Sequence, residues 1–289
     1  SAISLERHAR ENRGEGTVAA SLCVYDDDRF LESLVEDLLP RLRHLIISHA
    51  TAPWFGAARP AGFLRASQTV DRIQSSSPTK VRVVRGAWPS EEAQRNAALQ
   101  LAATLVPRPT HLLLVDGDEF WHPVELDRAL ALVYQASQQR RISWVRATMA
   151  TYFKTVRFVV DPPEPLKILW LVEVPLHDTS VTCGFSEARN WACSSSDASI
   201  DLAATIEALG TFVDPTTAKC HHLSYVRTTE ELHDKLTSFA HARDVRENWL
   251  DDVWHAWDSN RSMEDLHPTH PSAFKRTVLQ ELHEMPPAF

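Results

Sequence analysis

Apolar residues in the first third of the chain alternate between short unbroken runs and stretches with a helical period. Thr17 to Tyr25 (TVAASLCVY) is a compact apolar run with β-branched members, the signature of a buried strand, and the acidic cluster Asp26-Asp27-Asp28 ends it. From Phe30 to Leu42 the apolar positions Phe30, Leu31, Leu34, Val35, Leu38, Leu39 and Leu42 recur every three or four residues, which predicts an amphipathic helix ending around Pro40. A second strand, His44 to Ser48, follows at once. Strand, helix and strand in this order predict a βαβ unit with parallel strands and a right-handed crossover. The pattern then repeats: a loop with Pro53, Trp54 and Gly56, a helix around Ala66 to Gln74, a strand from Lys80 to Val84, a helix from Ser90 to about Leu105, and a strand from His111 to Val115 that runs into Asp116. Ser90 is placed to cap its helix, and Glu91 and Glu92 suit the positive end of the helix dipole.

Beyond Trp121 the pattern is less regular. A helix is expected from Pro123 to Gln138, strands near Ile142 to Thr148, Tyr152 to Val159 and Lys167 to Val174, and helices over Thr228 to Arg243 and Val245 to Asp258. Thr228 and Glu231 have capping-box spacing. The organisation expected is a polar lead (1–16), a nucleotide-binding half (17–122), a second, less regular half of the same domain (123–227), and C-terminal helices with a proline-rich tail (228–289). The fold class is α/β: a Rossmann-related, mostly parallel sheet flanked by helices, with a helical C-terminal extension.

Composition narrows the function classes. The 289 residues are 44% hydrophobic and 24% charged, which is globular composition, and a net charge of −8 disfavours a nucleic-acid partner. A small anionic substrate is compatible with that charge, because a metal ion and one or two arginines reverse the potential locally. The four cysteines, Cys23, Cys183, Cys193 and Cys220, are widely spaced without a Cys-x-x-Cys pair, and they read as reduced thiols of a cytoplasmic protein. No apolar run approaches the roughly 20 residues that span a bilayer, so no transmembrane segment is expected.

Candidate chemistry gathers where the fourth strand ends. Ligands of open parallel sheets bind outside the carboxyl ends of the strands, where Asp116, Asp118 and Glu119 fall. In an extended segment residues i and i+2 face the same side, which would present both aspartates to one ligand while Gly117 lets the backbone turn. Hard carboxylate oxygens suit Mg²⁺ or Mn²⁺, and such ions complete their shells with phosphate oxygens. Asp-x-Asp alone is a weak signal, since Asp26 and Asp28 repeat it, and the weight rests on the strand before Asp116.

The run THLLLVDGDEFW (Thr110 to Trp121), the preceding helix with Gln94-Arg95-Asn96, the PWFG of Pro53 to Gly56, YFKT with DPPEP through Tyr152 to Pro165, and KCHHLSYVRTTEEL from Lys219 to Leu232 together resemble glycosyltransferases of the GT-A fold, particularly a bacterial branch of family 2. The resemblance spans about residues 17 to 258. It implies a metal-dependent transferase that moves a sugar from a nucleoside-diphosphate donor, UDP by default, to an acceptor the sequence does not identify. Tyr25, Asp26, Ser48, His49 and Asp116 would line the nucleotide. Arg95 and Asn96 would reach the diphosphate or donor sugar. Asp118, with Asp116 and His222 or failing it His221, would hold Mn²⁺ or Mg²⁺.

An inverting enzyme would need a general base toward the acceptor. Glu187 in GFSEARNW is the candidate, with Asp178 and Glu164 as competitors, and CSSSDASID (Cys193 to Asp201) reads as a loop over the acceptor. The tryptophans at 249, 254 and 257 are expected in the core, and His267 and His270, separated by Pro268, are assigned no role. A sugar nucleotidyltransferase is the alternative, weakened because VYDDDR after the first strand lacks the glycine-rich loop that holds a triphosphate. A non-catalytic binding protein of the same fold is the other.

Overall fold

The computed structural model describes residues 18–26, 28–54, 63–164, 167–174, 181–187, 189–195, 210–238, 242–258 and 263–281. The first half follows the βα alternation: β1 (Val18–Val24), α1 (Leu31–Leu38), β2 (His44–Ala50), α2 (Phe63–Ser76), β3 (Val81–Gly86), α3 (Glu91–Thr104) and β4 (His111–Asp116). These strands pair in parallel in the order β3-β2-β1-β4. Both faces of this sheet are covered, which is why the strands read as unbroken apolar runs. On one face Ala20, Leu22 and Val24 of β1 pack with Leu31, Leu34 and Val35 of α1 and with Ala66, Val70 and Ile73 of α2. On the other, Ala19, Ile46, Leu112 and Leu114 meet Ala98, Leu99 and Ala102 of α3.

The second half extends and bends the sheet. After β5 (Glu119–Phe120) and α4 (Pro123–Ser137) come β6 (Trp144–Phe153), β7 (Thr155–Asp161) and β8 (Lys167–Glu173), and β8 joins β4 antiparallel. Where two separate strands were expected over Ile142 to Val159, β6 runs unbroken to Phe153 and turns back at Lys154, whose φ of 65° is left-handed. A hairpin of β9 (Val181–Glu187) and β10 (Asn190–Ser195) lies across α3, β11 (Gly210–Phe212) pairs with β6, and β12 (Cys220–Tyr225) lies between β5 and β6. The α/β class with helices flanking a mixed sheet is as expected. The parallel pairs β3-β2-β1-β4 lie in the first half of the chain, and antiparallel pairs dominate the rest.

Helix α5 (Thr229–Ser238) closes the carboxyl end of β12. Its capping box forms as read: Thr228 N–H donates to Glu231 Oε2 at 3.0 Å, and Glu231 N–H to Thr228 Oγ1 at 3.2 Å. Ser90 stands at the N-cap of α3, but its side chain makes no capping bond. The helix expected over Val245 to Asp258 is reduced to a short π-helical segment at Leu250–His255, preceded by a 3₁₀ turn at Ala242–Asp244. Its Trp249 and Trp254 still serve as core: with Leu266 and Phe274 they form a separate, largely aromatic cluster with Phe153, Tyr225 and Leu232. β13 (Arg276–Leu279), not expected from the sequence, pairs with β7.

The expectation of four reduced thiols is overturned. Cys183 and Cys193 are bonded across the β9–β10 hairpin, and Cys23 and Cys220 are free. The pairing joins residues directly opposite each other on adjacent antiparallel strands, which sequence spacing alone does not reveal. The argument for a cytoplasmic location that rested on reduced cysteines falls with it. Among the described residues no helix is long and apolar enough to cross a membrane.

Candidate functional site

The parallel register sets Cys23 beside Asp116 and Val24 beside His49, so the carboxyl ends of β1, β2 and β4 form one rim. Gln94 of α3, fully buried, ties that rim together: Nε2 donates to Ser48 O at 2.6 Å and Val24 O at 3.1 Å, and Oε1 accepts from Trp54 Nε1 at 2.9 Å. Of the expected nucleotide residues, Tyr25 and Asp26 stand on the segment leaving β1, while Ser48 and His49 are buried within β2. The Ser48 hydroxyl donates to Leu22 O at 3.3 Å. Burial, aided by Arg85, lowers the pKa of His49 and keeps its ring neutral.

Gly117 and Asp118 turn the chain instead of extending it, so the two aspartates acquire different partners. Asp116 is clasped by arginines. Arg95 Nη2 donates to both of its oxygens, at 2.8 and 3.0 Å, while Nε donates to Glu91 at 2.8 Å. Arg189, from the β9–β10 turn, lies 3.7 Å from Asp116 Oδ2, donates to both oxygens of Glu119 and reaches Leu114 O at 3.1 Å. Glu119 in turn accepts from the Asp116 N–H at 3.0 Å. Burial alone would raise the Asp116 pKa, but Arg189 and Arg95 outweigh it and hold the carboxyl below its ordinary value. Asn96 acts as a clasp for the hairpin that carries Arg189: its Nδ2 donates to Phe185 O at 2.8 Å and its Oδ1 accepts from Phe185 N–H at 3.0 Å. A Cβ at Gly184 would stand 3.1 Å from that Oδ1, so a larger residue there would press Asn96 back by a few tenths of an ångström.

Asp118 faces the other way, toward the C-terminal layer. Its Oδ2 accepts from Lys235 Nζ at 3.2 Å and Arg227 Nη2 at 3.3 Å, and its backbone O accepts from Leu223 N–H at 2.8 Å. Its Oδ1 lies 3.8 Å from His222 Nε2. Burial would again raise its pKa, and the Lys235 ammonium and Arg227 guanidinium beside it hold it far below the carboxylate range. Behind His222, Thr151 donates its hydroxyl hydrogen to Glu164 and stands 3.4 Å from His222 Nδ1. With its hydrogen committed to Glu164, Thr151 Oγ1 can only accept, which puts the imidazole proton on Nδ1 and turns the Nε2 lone pair toward Asp118.

His221 points to the opposite face of β12, against Tyr152 (2.8 Å), where burial lowers its pKa to about 3. It is a core histidine and leaves His222 as the residue beside Asp118. Glu187 ends β9 and its side chain lies outside the described residues, as do Asp178, residues 196–201 of the expected acceptor loop and Gly56 of PWFG.

A divalent cation was expected from Asp116, Asp118 and His222. Among the described residues no group of three or more histidines, cysteines, aspartates or glutamates is arranged to hold a metal. Asp116 is occupied by its arginines, whereas Asp118 Oδ1 and His222 Nε2 form an open pair. Their 3.8 Å separation exceeds the roughly 3 Å between neighbouring donors of an octahedral ion about 2.1 Å from each, so the pair would hold one, with water and phosphate as its other ligands, only after a small side-chain closure. Arg189, Thr151, Arg227 and Lys235 are the site residues that sequence reading did not single out, whereas Glu119 was placed at this rim with Asp116 and Asp118. Arg227 and Lys235 carried a faint signal, lying just downstream of His222 within or beside KCHHLSYVRTTEEL. Arg189 carried none, because the fold of the hairpin alone delivers it.

By sequence the chain matches no family model and no curated protein. Solved structures similar to it include glucosyl-3-phosphoglycerate synthase from Mycobacterium tuberculosis in complex with Mn²⁺, UDP-glucose and phosphoglyceric acid, at 13% identity and TM-score 0.44, over 97% of this chain and 93% of that one. Another is 4-diphosphocytidyl-2C-methyl-D-erythritol synthase from Anaerococcus prevotii, at 11% identity and TM-score 0.37, over 80% of this chain and 98% of that one.

Proposed function

We propose that this chain is a glycosyltransferase that binds a nucleoside-diphosphate sugar across the carboxyl ends of β1, β2 and β4 and transfers the sugar to an acceptor hydroxyl. The observation that carries the reading is the segregation of charge around Asp118: one oxygen faces His222, and the other faces Arg227 and Lys235. A carboxylate–imidazole pair beside two cations is suited to a metal-bound diphosphate.

Asp118 Oδ1 and His222 Nε2 would hold Mn²⁺ or Mg²⁺, which when bound supplies Lewis-acid stabilisation to the charge developing on the leaving diphosphate. Arg227 offers a planar fork and Lys235 a point charge to the phosphate oxygens. Arg95 Nη1 is buried without a hydrogen-bond partner among the described residues, which leaves N–H groups that a ligand oxygen can satisfy. Asp116, held ionised, stands beside Cys23 at the end of β1 and suits a ribose hydroxyl. Tyr25 and Asp26 follow on the same rim and would flank the base, with UDP the working assignment. Glu187 remains the proposed acceptor base by its position, and Glu164 competes on stronger contacts, through Thr151 to His222.

The test is a panel of nucleotide sugars assayed for release of nucleoside diphosphate, with binding followed calorimetrically with and without Mn²⁺. A nucleoside-diphosphate product and a Mn²⁺-dependent affinity that Asp118→Asn abolishes are expected. Release of inorganic pyrophosphate from a nucleotide triphosphate and a sugar phosphate would point instead to nucleotidyl transfer. Indifference of every nucleotide to Mn²⁺ and to Asp118→Asn sinks the reading.

A further inference from the structure

At the opposite end of the sheet, where β2 and β3 begin, lies a second concave site that the proposed reaction does not use. A cavity of about 460 Å³ opens there, and its lining includes Arg43, His44, Lys80 and Arg82 and no acidic residue. Four basic side chains unrelieved by a carboxylate are unexpected in a chain whose net charge is −8. Two of the cations are braced by backbone carbonyls: Lys80 Nζ donates to Leu39 O at 3.0 Å, and Arg82 Nη1 to Pro78 O at 2.7 Å and Val81 O at 3.2 Å. These bonds leave other N–H groups of both side chains to meet a ligand.

The second, independent observation is His44. Its residue is 7% exposed, and among the described residues neither Nδ1 nor Nε2 has a hydrogen-bond partner. A buried polar ring with nothing to bond is a desolvation penalty that a ligand oxygen would relieve. Burial, with Arg82, Arg43 and Lys80 around it, lowers its pKa, so at rest it is a neutral ring among cations. An anion reverses that balance, because it neutralises the neighbours and accepts an N–H.

We propose that this cavity, free of carboxylates among the described residues, is a binding site for a phosphate monoester, with His44 donating to a phosphate oxygen and Arg43, Lys80 and Arg82 supplying the countercharge. The chemistry is that of charge-assisted hydrogen bonds to a compact dianion. The cavity volume exceeds that of a bare phosphate and leaves room for an organic substituent against Leu42 and Val106 at its wall. β2, seven residues long at about 3.3 Å per residue, separates this site from the metal–diphosphate rim by roughly 20 Å, so the two can be filled at once. The proposal does not depend on the glycosyltransferase reading.

The test uses the full chain labelled with ¹⁵N-histidine, the His44 signals being assigned by their loss in His44→Gln. Inorganic phosphate is titrated at constant pH against chloride of equal ionic strength. A saturable shift of the His44 ring signals is expected, weakened tenfold or more in the double variant Arg43→Ser/Lys80→Ser, both positions being exposed. Asp118→Asn is expected to leave the His44 response intact, which separates this site from the proposed donor site. A His44 response no larger in phosphate than in chloride, or equal in wild type and the double variant, overturns the proposal. The source of the phosphate is read with vesicles of phosphatidylcholine with and without phosphatidic acid. Co-sedimentation only with phosphatidic acid, lost in the double variant and displaced by phosphate, identifies a lipid headgroup. A saturable phosphate response without co-sedimentation identifies a soluble ester.

Discussion

A guanidinium that is 2% exposed has to find its partners inside the protein, and Arg95 finds them on Glu91 and Asp116. Breaking such a buried pair costs about 3–5 kcal/mol, because the remaining charge is left uncompensated. Arg189 still faces Asp116, so Arg95→Met is expected to lower stability by roughly 3 kcal/mol in urea unfolding. A change under about 0.5 kcal/mol would show that the clasp is not structural. Thr151 is a sharper probe of the proposed metal pair. Thr151→Val removes the acceptor that keeps the His222 proton on Nδ1, and outer-shell losses of this kind lower metal affinity about 10–100-fold. Thr151→Ser keeps the hydroxyl and is expected to bind Mn²⁺ like wild type in calorimetry, with the His222 tautomer read independently by ¹⁵N shifts of the metal-free protein. Asp118 also sets a pH dependence. Its folded pKa lies below the unfolded value of about 3.9, so its contribution to stability is complete above that pH and is lost as pH falls through the folded value. In Asp118→Asn the acid limb of stability against pH is expected to be shallower than in wild type.

At the scale of elements, the β9–β10 hairpin decides how much of the site a sequence can show. β1, β2, β3 and β4 were legible because both faces of a parallel sheet demand unbroken apolar runs, and α1 and α3 because one stripe of each must face that sheet. The capping box of α5 was legible because it is local, four residues long. The hairpin was not: its strands mix Gly184, Ser186 and Asn190 with Cys183, Phe185, Trp191 and Cys193, which join the core beside α3 without a period-2 apolar pattern. Its placement rests on contacts remote in sequence, the Asn96–Phe185 bonds and Arg189 with Glu119, and its disulfide on a cross-strand register. The same remoteness hid the C-terminal layer, whose aromatic residues lack a helical period that survives folding. A disulfide closing a short loop contributes about 2–3 kcal/mol. Cys183→Ser/Cys193→Ser is therefore expected to lower the melting temperature, and to weaken nucleotide binding further by loosening the turn that presents Arg189. Thiol counting of the denatured protein, giving two reactive thiols before reduction and four after, checks the bond itself. Four before reduction would refute it.

For the molecule as a whole, the site exists only where three separately built parts meet: the parallel sheet with Asp116, the hairpin with Arg189, and the C-terminal layer with Arg227 and Lys235. The last is joined to the rest chiefly through aromatic packing. Trp254 lies 5.4 Å edge-on from Phe153 at the end of β6, receives Lys154 Nζ over its ring at 3.6 Å, and donates Nε1–H to Thr229 Oγ1 at 3.2 Å in the first turn of α5. Lys235 is one and a half turns further along that helix, so the indole seats the cation that meets Asp118. Removing a buried tryptophan costs about 3–5 kcal/mol, and here the loss falls on the layer rather than on the sheet core. Trp254→Ala is expected to increase amide exchange across α5 and β12 while β1, β2 and β4 stay protected, and to weaken nucleoside-diphosphate binding at least tenfold. Trp254→Phe keeps the ring contact with Phe153 and is expected to recover most of the affinity. If Trp254→Ala loosens α5 yet leaves the affinity unchanged, then Arg227 and Lys235 only neutralise Asp118, and the phosphate-facing role given to them here is wrong.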